Sequence, residues 1–239
     1  MKTLVLASSV LSYECASSLR NLGFEPIIMP EYTRLQRGVS SHPDMLAFIY
    51  GNKYICTKEY YSIAREIFEK INSLGYSPIL TDEIPSEKYP NDILFNVLPL
   101  EDKILCLKKG ISKKLISFAT RNNLQIINTN QGYTKCSVCK ISENAIITAD
   151  KGISELAKSI GIDVLTIREG HVNLDGYGYG FIGGASGVYE DTVYFCGDIS
   201  KHPDGKQIVA FCEKHKKSCV SLSNEELFDV GTLFFLSKV

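Results

Sequence analysis

The sequence predicts a five-bladed α/β propeller, one domain over residues 1–239, built from a repeated strand–strand–helix–strand unit. Three observations predict it. Apolar stretch, short polar turn, apolar stretch, helix and apolar stretch recur in that order along the chain. Gly23, Gly75 and Gly161 stand where three of the helices should stop. The N-terminal copy lacks its first strand, and a spare strand stands at the other end of the chain. Pairing the two ends closes the ring and removes exposed sheet edges.

The clearest copy runs from Cys136 to Ile167. A first strand over 136–141 turns at Ser142-Glu143-Asn144 into a second over 145–148, followed by a helix over 154–160 and a third strand over 163–167. Upstream, strands over 44–49 and 54–56 precede a helix over 60–74 and a strand over 77–80. A third copy has strands over 92–97 and 103–106, a helix over 112–121 and a strand over 124–127. The loosest copy enters at Phe181-Ile182 and continues with 192–195, a helix over 206–215 and a strand over 219–222. The N-terminal copy has a strand over 3–6, a helix over 12–22 and a strand over 26–29, with 231–236 as its first strand. An open βαβ sheet shows similar alternation, but paired strands before each helix favour the ring.

Bulk composition narrows the function classes. With 26 Lys and Arg against 27 Asp and Glu the formal charge is −1, without the basic excess of a nucleic-acid protein. No apolar run reaches the ~18–20 residues of a membrane span. The apolar stretch within residues 1–9 is about four residues long, short of the ~7–15 of a secretory signal, and reads as a strand. Eight scattered cysteines in a chain this long read as reduced thiols in the cytoplasm.

Aligning the first strands puts Asp44, Asp92, Cys136, Gly180 and Asp229 in one column at the ring axis. His42 precedes Asp44 by two residues, and Lys135 directly precedes Cys136. Carboxylates around a lone thiol disfavour its thiolate, and an arriving guanidinium or amidinium reverses that sign. In that chemistry Cys136 is the nucleophile, His42 the general acid and base, and Asp44 and Asp92 hold the cation, with Asp229 and Glu169 as further candidates. Lys135 and Tyr179 read as additional ligand contacts. An Asp before a strand is also ordinary turn and cap chemistry.

Other patterns carry less. Cys136-x-x-Cys139 has no second pair at zinc spacing, and strand positions three apart face opposite sides. The glycine- and tyrosine-rich segment 175–187 lacks the Gly-Lys-Ser/Thr ending of a phosphate loop. It reads as a strand crowded at the axis, or as backbone brought close to a ligand with Tyr177 or Tyr179 as walls. His202-Pro203-Asp204 precedes a helix and reads as a cap. No cofactor or metal is expected.

The five-unit ring, the acidic column and the stretch Gln131-Gly-Tyr-Thr-Lys-Cys-Ser-Val-Cys139 resemble the guanidino-group-modifying superfamily, also called the pentein or amidinotransferase-like fold, and look closest to a bacterial branch of it. His42-Pro43-Asp44 is similar to the family's His-x-Asp segment, and Glu169-Gly170-His171-Val172 to its Glu-Gly-Gly-Asp segment with two positions changed. The family's C-terminal Gly-Gly-x-x-His-Cys-x-Thr segment is matched only by Gly183-Gly184-Ala185-Ser186, without the thiol. Here the sequence departs from the family pattern: its candidate nucleophile, Cys136, lies mid-chain, as though the units were cyclically shifted. The resemblance implies a Cys-dependent hydrolase or amidinotransferase taking a small, arginine-like cation as partner. The alternative it leaves is a non-catalytic ring binding a small ligand or a macromolecule. The choice between hydrolysis and transfer, and the oligomeric state, are not written in these motifs.

Overall fold

A computed structural model of the chain describes residues 2–239. The first strand, β1 (Leu4–Ala7), is buried along its whole length and leads into α1 (Tyr13–Asn21). Ser12 starts that helix by accepting the Cys15 N–H, and Gly23 at φ +92° ends it, turning the chain into β2 (Glu25–Ile28), parallel to β1. One turn of helix, α2 (Pro43–Leu46), opens the next unit and runs into the hairpin β3 (Phe48–Tyr50) and β4 (Lys53–Thr57). Thr57 caps α3 (Lys58–Ile63), and after a break at Ala64 the helix resumes as α4 (Arg65–Ser73) before β5 (Ser77–Thr81).

The third unit comprises β6 (Leu98–Pro99), β7 (Lys103–Cys106), α5 (Lys113–Arg121) and β8 (Gln125–Asn128). The fourth begins with another single turn, α6 (Thr134–Ser137), followed by β9 (Val138–Ser142), β10 (Ala145–Thr148), α7 (Lys151–Ser159) and β11 (Asp163–Thr166). The fifth holds β12 (Ser186–Tyr189), β13 (Thr192–Phe195), α8 (Gly205–Lys214) and β14 (Ser218–Ser221), and the last strand is β15 (Phe234–Leu236).

These strands form five separate three-stranded sheets, in the orders β15-β1-β2, β3-β4-β5, β6-β7-β8, β9-β10-β11 and β12-β13-β14. Each central strand pairs antiparallel with the inner strand and parallel with the strand that follows the helix. As the sequence predicts, the C-terminal strand completes the N-terminal unit, with Leu236 opposite Leu4 and Phe234 opposite Leu6. The central strands are almost wholly buried, because helices cover one face and neighbouring sheets the other. Among the described residues no helix is long and apolar enough to cross a membrane.

All five first strands begin later than expected: Phe181-Ile182 lies before β12, which starts at Ser186, and β15 starts at Phe234 rather than at residue 231. Residues 44–46 and 136–137 lie in the single helical turns α2 and α6, residues 92–97 form turns, and the strands begin only at Phe48, Leu98 and Val138. Pro43 at the first helical position favours the turn at α2. At α6, Asn96 Oδ1 accepts the backbone N–H of both Lys135 and Cys136, so a side-chain bond overrides the strand preference of a short apolar run. Gly231 and Thr232 likewise adopt positive φ before β15. At the predicted cap Asp204, the carboxylate instead accepts from the Arg168 backbone and guanidinium, with no capping bond to α8.

The closing strand sets a stability prediction. Leu236 is 2 % exposed against β1, so Leu236→Ala should cost about 2–5 kcal/mol in chemical denaturation. Exposed Lys238→Ala should change stability by less than about 0.5 kcal/mol. Equal effects would mean that β15 does not seal the N-terminal sheet.

Candidate functional site

The turns that precede the inner strands converge on Cys136. Its thiol, 4 % exposed, donates to Asp44 Oδ2 at 3.1 Å and accepts from Asn96 Nδ2 at 2.9 Å. The same Asp44 oxygen accepts from Thr232 Oγ1 at 2.8 Å, and Thr232 Oγ1 in turn accepts from Lys135 Nζ at 3.0 Å. Five side chains from four turns are thus tied in one buried chain of bonds. The backbone holds them close: Asp44 N–H donates to Gly231 O, and Gly184 N–H donates to Cys136 O. Gly231 sits at φ +69° and a Cβ there would overlap His42, so only glycine lets these two turns meet. A Cβ on Gly184 would overlap the Asp229 carboxylate.

Beside the thiol lies a cavity of about 180 Å³. His42, Cys136 and Asp229 supply its polar atoms, and Val39, Met45 and Leu174 an apolar floor. Tyr133, Tyr177, Tyr179 and Phe181 form an aromatic wall. Tyr177 and Tyr179 are 39 % and 41 % exposed and stand at the rim, so the segment 175–187 supplies walls rather than a strand at this point. Tyr177 is fixed by its hydroxyl donating to Gln36 Oε1 at 2.6 Å.

Electrostatically the site is acidic and dry. Burial pushes the Cys136 thiol well above its ordinary value, and the Asp44 and Asp229 carboxylates push it further, so the resting group is a thiol. Burial raises Asp44, and it raises Asp229 to about 6 against the two backbone N–H groups, of Phe181 and Gly231, that hold its carboxylate. Burial lowers His42 to about 4, only partly opposed by Asp44. His42 Nδ1 lies 3.7 Å from Asp229 Oδ1, too far for a hydrogen bond, and with a neutral ring the contact is not an ion pair at neutral pH. Both His42 ring nitrogens and Asp44 Oδ1 are buried without a partner.

The residues singled out from sequence are therefore distributed unevenly. Cys136, His42, Asp44 and Asp229 come together, with Asp229 on the cavity wall and Asp44 behind the thiol. Tyr179 lines the cavity, and its hydroxyl lies 3.4 Å from Glu169, which is exposed and belongs to a neighbouring cleft with Arg168 and His171. Asp92 is outside the wall and accepts from the Tyr133 hydroxyl. Lys135 does not face this cavity; its side chain runs the other way, past Thr232. No hydrogen bond joins His42 to Cys136; the thiol's acceptor is Asp44.

Asn96 and Thr232 were not anticipated. Each stands two residues before its inner strand, as Cys136 and Gly184 do, so aligning on strand starts rather than on acidic residues finds them. Among the described residues no group of three or more His, Cys, Asp or Glu side chains is arranged to hold a metal ion.

Comparison with known proteins bears on fold rather than on residues. No functionally curated protein matches the chain. Among solved structures, DDAH from Pseudomonas aeruginosa complexed with citrulline matches with a TM-score of 0.56 at 10 % identity, over 92 % of both chains. An agmatine deiminase from C. jejuni matches with a TM-score of 0.58 at 11 % identity, over 98 % of this chain and 93 % of that one. The amidinotransferase SxtG from Microseira wollei matches with a TM-score of 0.59 at 10 % identity, over 94 % and 78 %. A model of a family of unknown function, DUF6873, matches residues 6–234. The chain therefore belongs to the DUF6873 family and has the fold of the guanidino-group-modifying, or pentein, superfamily.

Proposed function

We propose that this protein is a cysteine-dependent enzyme acting on a guanidino or amidino compound, with Cys136 as nucleophile. One observation carries the reading: the Cys136 thiol and the His42 ring, whose two buried nitrogens have no partner, line one cavity walled by aromatic rings. Buried polar atoms without partners are costly, and a planar cation with several N–H donors supplies one to the His42 nitrogen that carries no proton. The fold neighbours named above, a DDAH complexed with citrulline, an agmatine deiminase and an amidinotransferase, support the same class.

An amidinium in the cavity lies between the aromatic wall and Asp229, where its charge favours the thiolate. The thiol proton passes to Asp44 as Sγ bonds to the central carbon. The C–N bond to the departing amine then breaks as His42, facing the cavity, donates its N–H proton to that nitrogen and takes the one held by Asp44 in exchange. Water, or a second amine in a transfer reaction, next attacks the same carbon and gives a proton to His42. As the C–S bond breaks, His42 passes that proton to the departing sulfur, which restores both the thiol and the neutral ring. Asn96 keeps Sγ oriented throughout.

The same reading takes the chain as one domain, its five sheets arranged as a ring. Support comes from β15 pairing with β1, from β12 packing on both β9 and β15, and from Lys140 donating to Pro99 O across two sheets. The competing reading, a non-catalytic ligand-binding protein, is favoured by the missing hydrogen bond between His42 and Cys136.

Labelling with 2-chloroacetamidine separates the two. Intact-mass analysis should show one rapid modification, lost in Cys136→Ala and slowed at least tenfold in His42→Ala; equal slow reaction of all eight thiols would leave only the binding protein. Because burial and carboxylates raise the thiol, its thiolate fraction at neutral pH is small and grows with pH. Alkylation of Cys136 by neutral iodoacetamide should rise about tenfold per pH unit from pH 7 to 9, and a plateau below pH 8 would contradict a raised thiol. Asp44→Asn should speed iodoacetamide and slow chloroacetamidine, a split that a purely structural Asp44 would not produce.

A further inference from the structure

A second cavity, of about 490 Å³, shares no lining residue with the Cys136 cavity. Its walls come from one inner strand of each sheet: β3, β6, β9, β12 and β15. Ile49, Pro99, Val188 and Phe234 make them largely apolar. Lys135 reaches into this basin from the turn α6.

Lys135 is 8 % exposed, yet its ammonium makes a single hydrogen bond, to Thr232 Oγ1 at 3.0 Å. Its remaining contact is with the Phe234 ring, 5.8 Å from the centroid. An ammonium carries three donors, so two point at no protein acceptor. Lys140 and Lys217 also line the basin, against one acidic lining residue, Glu143. Lys140 is paired with Glu143, and Lys217 with Asp191 and the Glu190 carbonyl. The inner cation alone is left under-bonded. Burial lowers the Lys135 ammonium, opposed chiefly by the Asp44 carboxylate, and a second carboxylate beside it would raise it further.

We propose that this basin is a binding site for a small organic carboxylate, its carboxylate seated on Lys135 and its hydrocarbon part against Ile49, Pro99, Val188 and Phe234. The charge complements the one under-bonded cation. The apolar walls favour a carboxylate with a short aliphatic or aryl body over an inorganic oxyanion, which would leave Ile49, Pro99, Val188 and Phe234 uncovered.

Thermal unfolding at constant ionic strength tests this with benzoate, butyrate and inorganic phosphate as probes. At ten times its dissociation constant benzoate or butyrate should raise Tm by about 3–6 °C. The rise should persist in Cys136→Ala, which separates this site from the proposed catalytic one, and vanish in Lys135→Met. No rise with either carboxylate, an undiminished rise in Lys135→Met, or equal protection by phosphate would overturn the proposal. Should Lys135→Met not fold, wild-type crystals soaked in 4-bromobenzoate decide the matter. A bromine anomalous peak in the basin supports the site, and its absence there overturns it.

Discussion

The contact on which the site depends is the one between the Cys136 thiol and the Asp44 carboxylate, 3.1 Å apart and out of water. Two buried carboxylates, Asp44 and Asp229, face one buried lysine and a neutral imidazole. Such a cluster is electrostatically incomplete, because burying charge is costly unless it is paired. Lys135 supplies part of the missing charge through Thr232, and the remainder is what a cationic ligand would bring. Burial and the same shortage keep the thiol protonated at rest, and the proposed function would couple its reactivity to the charge of the ligand.

Geometry enforces that cluster through backbone, not through long side chains. Each inner strand is preceded by a tight turn, and residues two before the strand start fall at the same level: Asn96, Cys136, Gly184 and Thr232. Asn96 bonds the thiol, Gly184 bonds the Cys136 carbonyl, and Thr232 bonds Asp44. Glycine at positions 184 and 231 removes the Cβ atoms that would hold the turns apart. A repeated unit thus brings one residue from each of several units together around Cys136 and Asp44.

The repeat was legible because burial imposes it on the sequence. The central strands must be apolar on both faces, and strands such as 103–106, 145–148 and 192–195 are found at the predicted residues. The glycine stops at 23, 75 and 161 are legible for a similar reason, since each takes a positive φ. The turns before the inner strands were not. Residues 92–97 and 136–137 read as strand because they are apolar and short, and only the bonds from Asn96 and the contacts at Gly231 decide otherwise. That error shifted the column, placing Asp92 at the axis and overlooking Asn96 and Thr232. The direction of Lys135 was also illegible, as adjacent residues of one helical turn point to different cavities.

The central claim is that a bound cation ionises Cys136. Thiolate absorbance at 240 nm, taken as wild type minus Cys136→Ala and titrated against pH with and without benzamidinium, measures it directly. A titration midpoint that falls by at least one pH unit when benzamidinium binds is the result expected from carboxylates left unpaired around the thiol. A midpoint that stays put or rises would contradict the account.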